Sequence, residues 1–133
     1  MKEIILNIIT PEKKFFSGTI TKLITEDKEG SLGILPGHMS MVKSLLPHIC
    51  TFKTKEEKEM KAFISSGILK VDKGSIDILC DSAEWPEDID VNRAKKAQER
   101  AEERIKTMPE GTDIKRAELA LKRALIRTKI RNI

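Results

Sequence analysis

Arginine side chains recur at regular spacing in the last third of the chain, where they are the groups best suited to bind an anion. The pattern R-A-x-x-A-x-x-R-A-x-x-R occurs twice, offset by 23 residues. It aligns six arginines in three pairs: Arg93 with Arg116, Arg100 with Arg123, and Arg104 with Arg127. A guanidinium group is a planar fork of N–H donors that matches the oxygen atoms of a phosphate or a carboxylate. The repeat therefore predicts two similar segments, each with three anion-binding groups.

Two amphipathic helices are needed to place these arginines. At about 100° per residue, positions seven and eleven residues apart lie within roughly 20° of the first, so each helix has its arginines in one stripe. A row of alanines runs beside each stripe: Ala94, Ala97 and Ala101 in the first helix, and Ala117, Ala120 and Ala124 in the second. Burying a methyl group contributes only about 0.8 kcal/mol. We expect residues 90–133 to form a weakly held antiparallel two-helix hairpin, broken once at residues 108–111.

The positive charge of the chain is concentrated in this hairpin. Residues 1–89 contain 12 Lys/Arg and 14 Asp/Glu, whereas residues 90–133 contain 13 and 7. Basic stripes on surface helices are usually solvated, and Glu118 with Lys122 predicts an ordinary ion pair between helix neighbours. A pI near 9.1 leaves open a nucleic-acid-binding protein, but one Trp and four Phe provide little for base stacking.

Short apolar runs separated by turn residues fill the chain before the hairpin. They lie at residues 4–9, 15–16, 20–25, 49–54, 60–64, 68–71 and 76–80, with Ser17 and Gly18 as a break between the second and third runs. Residues 72–74 (Asp-Lys-Gly) predict a hairpin turn. Many short strands without intervening helices predict an antiparallel sandwich or barrel.

Length and composition exclude several classes of protein. A chain of 133 residues with 39% hydrophobic content fits one modest domain with an appendage. Its sequence has no run of about 18 apolar residues, and its start does not resemble a secretion signal or transit peptide, so we expect an intracellular soluble protein.

Cys50 and Cys80 have no metal-site spacing and are expected to be buried thiols. We find no P-loop, catalytic triad or metal-ligand cluster in the sequence, which argues against an enzyme.

The segment Gly30-Ser31-Leu32-Gly33-Ile34-Leu35-Pro36-Gly37-His38 is the most distinctive one in the β part. Pro36 and Gly37 fit the central positions of a type II turn, since proline presets φ and glycine accepts a positive φ. The turn should place His38 at the rim. Such a turn occurs in many β proteins, and a histidine after it is more often an exposed rim residue than a ligand.

This segment, read as G-x-L-G-I-L-P-G-H, resembles the epsilon subunit family of F-type ATP synthases. The resemblance continues through Ser66-Gly67-Ile68-Leu69-Lys70-Val71, through Ile89-Asp90-Val91-Asn92-Arg93-Ala94, and through residues 113–124 of the second helix. It spans essentially the whole chain. Two departures are Ser66, where the family usually has a glycine, and Trp85-Pro86 at the junction, where proline stiffens a connection that is expected to bend.

The resemblance implies a β-sandwich domain of about ten short antiparallel strands over residues 1–84 and a regulatory helical hairpin over residues 85–133. It implies a non-catalytic rotor subunit at the foot of the central stalk, peripheral to the cytoplasmic face of a bacterial plasma membrane. The partners would be the gamma subunit, the ring of c subunits, and the alpha and beta subunits. The implied interface residues are Glu29, Ser31 and Leu32 near the c ring, and His38, Met39 and Met41 near gamma.

The resemblance also implies that the hairpin inhibits ATP hydrolysis when extended and releases it when folded on the sandwich. In some bacterial members the folded hairpin binds ATP as a regulatory ligand. The matching residues here are Glu84, Ile89, Asp90, Arg93, Ala94, Arg100, Arg123 and Arg127. No other cofactor and no metal is implied. A nucleic-acid-binding protein and a plain stalk adaptor without a switch remain the alternatives.

Overall fold

The computed structural model describes residues 3–131, which form a β-sandwich followed by two helices. The strands are β1 (Ile4–Ile9), β2 (Lys14–Asp27), β3 (Gly30–Ile34), β4 (Met41–Leu45), β5 (His48–Thr54), β6 (Glu59–Ile64), β7 (Gly67–Asp72), β8 (Ser75–Cys80) and β9 (Ala83–Glu84). A 3₁₀ turn, Pro86–Asp88, leads into α1 (Val91–Thr107), and α2 (Ile114–Arg131) follows. Nine strands are described, against the expected ten or so.

Alternation of apolar and polar residues explains how the strands build the core. In β1, Ile4, Leu6 and Ile8 are buried while Ile5 is exposed. The other strands contribute their inward-facing side chains in the same way, because successive residues of a strand point to opposite faces of the sheet. The resulting core includes Phe52, the largest of its fully buried side chains.

The strands pair mostly antiparallel, in the order β1-β8-β7-β4-β2-β5-β6-β9, with β3 beside β2. One pair is parallel: β1 lies beside β8, with Leu6 opposite Ile76. β1 also pairs with β2, so β2 connects the two halves of the sandwich. The expected sandwich is confirmed, and its sheet is mixed because of this one pair.

The expected break at Ser17 and Gly18 is wrong, because β2 continues through both residues. The first part of β2 pairs with β1 and its second part with β3 and β5. Gly18 lies inside the strand beside an aromatic ring: a Cβ atom added there would be 3.0 Å from the Phe16 ring. This glycine therefore makes room for a side chain and does not end the strand.

The turn at Pro36 and Gly37 is confirmed. Gly37 has φ of 87°, and the His38 N–H donates to the Leu35 carbonyl at 3.1 Å, as in a type II turn. The turn follows β3 and precedes β4, two strands that the apolar pattern did not predict.

Aspartate side chains begin both helices at equivalent positions of the sequence repeat. Asp90 Oδ1 accepts from the Arg93 N–H at 3.0 Å, and Asp113 Oδ1 accepts from the Arg116 N–H at 3.1 Å. Each bond satisfies a backbone donor that has no partner within its helix. Met108 ends α1 in the left-handed conformation with φ of 45°. The two helices and the break after the first are thus as the sequence predicts.

Candidate functional site

The second helix lies against the sandwich through a small apolar contact, whereas the first helix packs mainly on the second. Ile130 of α2 is 1% exposed and shares a cluster with Phe63 of β6 and Ile89. Ile126 and Ile49 flank this cluster. A fully buried isoleucine contributes about 1.5–3 kcal/mol. The hairpin therefore rests on the sandwich by only a few apolar side chains.

An ion pair reinforces this contact. Arg127 Nε donates to Glu84 Oε1 at 2.5 Å, and the Arg127 guanidinium lies 4.5 Å from the centre of the Phe63 ring. Glu84 is opposite Phe63 in the β6–β9 pair. Arg127 and Glu84, both in the expected nucleotide site, thus contact each other across the junction of hairpin and sandwich.

A second ion pair crosses the junction. Lys122 Nζ lies 3.5 Å from Glu26 Oε1 of β2. The sequence predicted that Lys122 would pair with Glu118 in its own helix, and this is wrong. The amine pairs with the sandwich instead, because α2 lies close to β5, the neighbour of β2.

The alanine rows lie between the two helices. A cleft of about 610 Å³ opens there, towards the turn that joins the helices. Ala97 and Ala101 of α1 and Ala117 and Ala120 of α2 line the cleft. Since alanine occupies little volume, it leaves a space that larger side chains would fill. This volume is within the range of sites for small molecules.

Arginines from both helices border the cleft. Arg100 of α1 and Arg123 of α2, both in the expected nucleotide site, line the same cleft. Arg104 and Arg116 also line it; the repeat aligned them with other arginines, but the resemblance did not assign them to the site. The sequence repeat could have predicted Arg104 and Arg116 as cleft residues, because antiparallel helices place the end of α1 beside the start of α2.

The remaining residues of the expected site lie elsewhere on the hairpin. Arg93 is exposed and borders a shallower groove that it shares with Arg100. Asp90 caps α1, Ala94 is buried, and Ile89 belongs to the apolar contact with the sandwich. The expected set is therefore divided between the cleft, the outer groove and the junction.

The residues expected at subunit interfaces lie around the β2–β3 turn and in the segment from the Pro36 turn to β4. Of these, Glu29 and Ser31 are exposed and Met39 is 80% exposed, whereas Leu32, Met41 and His38 are partly buried. Leu32 and Met41 pack against the core of the sandwich. His38 Nδ1 lies 2.8 Å from the Met39 carbonyl.

Two further observations concern chemistry and membranes. Within residues 3–131, no group of three or more His, Cys, Asp or Glu side chains is placed to bind a metal ion. Over the same residues, neither helix is long and apolar enough to cross a bilayer.

A β-sandwich followed by two helices is also what protein-family models find in this chain. Residues 3–86 match the ATP synthase delta/epsilon chain beta-sandwich domain, and residues 87–130 match the delta/epsilon chain long alpha-helix domain. The chain belongs to the ATP synthase delta/epsilon chain family.

Individual relatives show which chains of this family are similar to it. The chain is 49% identical to the ATP synthase epsilon chain of Clostridium novyi and 44% identical to that of Clostridium kluyveri, each over 92% of both chains. A chain of the Euglena gracilis mitochondrial ATP synthase (OSCP/F1/c-ring) superposes with a TM-score of 0.82 at 26% identity, covering 94% of this chain and 79% of that one. A chain of the Tetrahymena thermophila mitochondrial ATP synthase (central stalk/c-ring) has the same fold, with a TM-score of 0.62 at 15% identity over 98% and 99% of the chains.

Proposed function

We propose that this chain is a non-catalytic rotor subunit in the central stalk of a bacterial F-type ATP synthase. The near-complete coverage of epsilon chains from Clostridium supports this role, as does the similarity to a chain from an F1/c-ring assembly. In that role it joins the catalytic head of alpha and beta subunits to the c ring, at the cytoplasmic face of the membrane. It transmits torque and takes part in no bond-making step.

We infer that the sandwich binds the gamma subunit and the c ring by the two loops described above. Met39 is a large apolar side chain at 80% exposure, and contact with a partner would remove it from water. Glu29, at the tip of the β2–β3 turn, would meet the c ring. The test is co-purification with gamma and the c ring from cells. Met39→Glu should reduce recovery of gamma, Lys73→Glu in the β7–β8 turn should not, and unchanged recovery for Met39→Glu would refute this interface.

The hairpin is proposed to regulate ATP hydrolysis by moving between two states. In the docked state α2 contacts the sandwich; in the lifted state it leaves the sandwich and obstructs hydrolysis. The docked contact consists mainly of the apolar cluster around Ile130 and two ion pairs. Partly exposed ion pairs contribute about 0–1 kcal/mol each. Two states separated by a few kcal/mol can be interconverted by a ligand that binds one of them better.

ATP is the proposed ligand of the docked hairpin, and the cleft is the observation on which this proposal rests. Arg100 and Arg123 come from different helices and line one space, so a polyphosphate bound there would contact both. Its negative charge would also offset the repulsion among the cleft arginines. ATP at ten times its dissociation constant would stabilise the docked hairpin by about 1.4 kcal/mol.

Calorimetric titration of the purified chain with ATP tests the site. Wild type should release binding heat, and Arg100→Ala and Arg123→Ala should each weaken binding at least about tenfold, since a charge-assisted hydrogen bond contributes about 1.5–3 kcal/mol. Lys115→Ala is the matched control, because Lys115 is an exposed cation of α2 outside the cleft lining. Absence of heat at millimolar ATP, or equal affinity in Arg123→Ala, would refute nucleotide binding.

A further inference from the structure

A buried histidine lies close to the contact between α2 and the sandwich. His48, the first residue of β5, is 0% exposed, and Thr25 beside it is 1% exposed. His48 Nε2 lies 2.7 Å from the Thr25 hydroxyl, and Nδ1 lies 2.6 Å from the Leu46 carbonyl. Because a carbonyl only accepts, Nδ1 bears the proton and Nε2 of the neutral ring accepts from Thr25.

Two charged groups from different elements act on this ring. They are Glu26 of β2 and Lys122 of α2, which pair with each other at 3.5 Å. Burial is the main cause that lowers the pKa of His48; the Leu46 carbonyl and the Glu26 carboxylate act in the opposite direction, and Lys122 lowers the pKa further. Of these groups, only Lys122 belongs to the hairpin, so only its charge leaves when the hairpin lifts.

We propose that His48 is a pH sensor that links acidification to release of the hairpin: the neutral Thr25–His48–Leu46 cluster fits the docked state, in which Lys122 pairs with Glu26, and protonated His48 favours the lifted state. The inference rests on the docked and lifted states of the proposed function. It goes beyond that function by assigning a second input, the proton, which acts at a position distant from the cleft.

The direction follows from linkage. Lifting removes the positive charge of Lys122 and leaves Glu26 unpaired near the ring, so the pKa of His48 is higher in the lifted state than in the docked state. At a pH above the pKa that His48 has in the lifted state, the docked state has its full stability. This stability is lost as the pH falls towards the pKa that His48 has in the docked state. A difference of one in pKa between the two states changes the docking equilibrium about tenfold. Under the proposed regulation, acidification would therefore reduce ATP hydrolysis.

Nuclear magnetic resonance of the full chain tests the linkage through the ring resonances of His48. Ile130→Ser removes the buried apolar anchor without changing charge, and it should lift the hairpin. The pKa of His48 should then be higher than in wild type, because the positive charge of Lys122 has left. Leu125→Ser, at an exposed position of the same helix, should leave the titration as in wild type. The other histidine, His38, lies outside the junction and serves as an internal reference in every sample.

Energy transfer reports the position of the hairpin in the same samples. Trp85, the one tryptophan, stacks on Phe15 of the sandwich at 4.4 Å, and a dye on Lys129→Cys would mark α2. In the labelled Lys129→Cys chain without further substitution, transfer should fall reversibly as the pH is lowered from about 8 to about 5.5, the range in which histidine titrates. His48→Gln, which can still donate to Leu46 and accept from Thr25, should make transfer independent of pH over this range.

The pKa of His48 and the energy transfer together distinguish failure of the sensor from failure of the switch. If Ile130→Ser lowers transfer while the pKa of His48 stays as in wild type, the hairpin lifts without coupling to His48, and only this inference is overturned. If neither Ile130→Ser nor acidification changes transfer, the hairpin is rigidly docked, and the switching role is refuted together with the sensor. Equal pH dependence of transfer in wild type and His48→Gln would also overturn the sensor.

Discussion

The Arg127 guanidinium donates a 2.5 Å hydrogen bond to the Glu84 carboxylate and thereby joins the second helix to the last strand of the sandwich. The two residues are 43 positions apart in the sequence. Glu84 lies in the β6–β9 pair, so this bond requires α2 to lie on the sandwich. This relationship gives a direct way to measure the stability of docking.

Replacing Arg127 should weaken docking. Arg127→Gln removes the ion pair and the contact with the Phe63 ring, and together these partly exposed interactions should contribute about 1 kcal/mol. Amide hydrogen exchange in α2 should become several-fold faster. Arg131→Gln is the matched control, since Arg131 is exposed in the last turn of the same helix. Equal exchange in both variants would show that the Arg127–Glu84 pair does not stabilise docking.

The apolar anchor should matter more than the ion pair. Ile130→Ser deletes a side chain that is 1% exposed, and truncating a buried isoleucine costs about 2–5 kcal/mol. The hairpin should be mainly lifted, with lower energy transfer from Trp85 to a dye at position 129. Leu125→Ser, at 45% exposure, should leave transfer unchanged. A docked hairpin in Ile130→Ser would show that docking depends on other contacts.

Some of this arrangement follows from the sequence and some does not. The strands rich in isoleucine, such as β1 and β8, were predicted because each is a short apolar run bounded by turn residues. β3 and β4 were missed because Ser31, Gly33 and Ser44 interrupt the apolar pattern. The Asp90 cap is a local feature, because its hydrogen bond joins residues only three positions apart.

Contacts between distant segments could not be predicted from the sequence. Lys122 had an acidic residue four positions earlier, which is the usual local partner, yet it pairs with Glu26. The parallel β1–β8 pair joins residues some 70 positions apart, and no local pattern sets that register. The division of the expected nucleotide site between cleft, groove and junction is likewise a property of the tertiary packing.

Gly67 should be essential for the sandwich. A Cβ atom added there would lie 2.4 Å from the Leu79 carbonyl oxygen and 2.9 Å from Cys80 Cα, and both are backbone atoms that cannot move without disturbing β8. Gly67→Ala should lower the free energy of unfolding by about 1–3 kcal/mol or more. Gly33→Ala, where a Cβ atom would meet nothing within 4 Å, should change it much less. Denaturant unfolding measures both, and equal stabilities would contradict the close approach of β7 to β8.

The two cysteines should be unreactive in the folded protein. Burial raises the pKa of Cys50 to about 12 and that of Cys80 to about 11, and only the thiolate is a nucleophile. Ellman's reagent at about pH 8, which is below both values, should therefore react slowly with the native chain and quickly with both thiols in denaturant. Fast reaction of the native chain would show that one of the thiols is accessible to solvent.

The proposed regulatory role of the hairpin can be tested in the assembled ATP synthase with Glu26→Cys and Lys122→Cys joined by a bismaleimide. These positions face each other across the junction, so the cross-link should keep the hairpin docked. Each single-cysteine variant, treated in the same way, controls for loss of the ion pair and for modification. If the lifted hairpin inhibits, cross-linking should raise the rate of ATP hydrolysis several-fold above that of both controls. A rate equal to the controls would contradict the switch and favour a plain stalk adaptor.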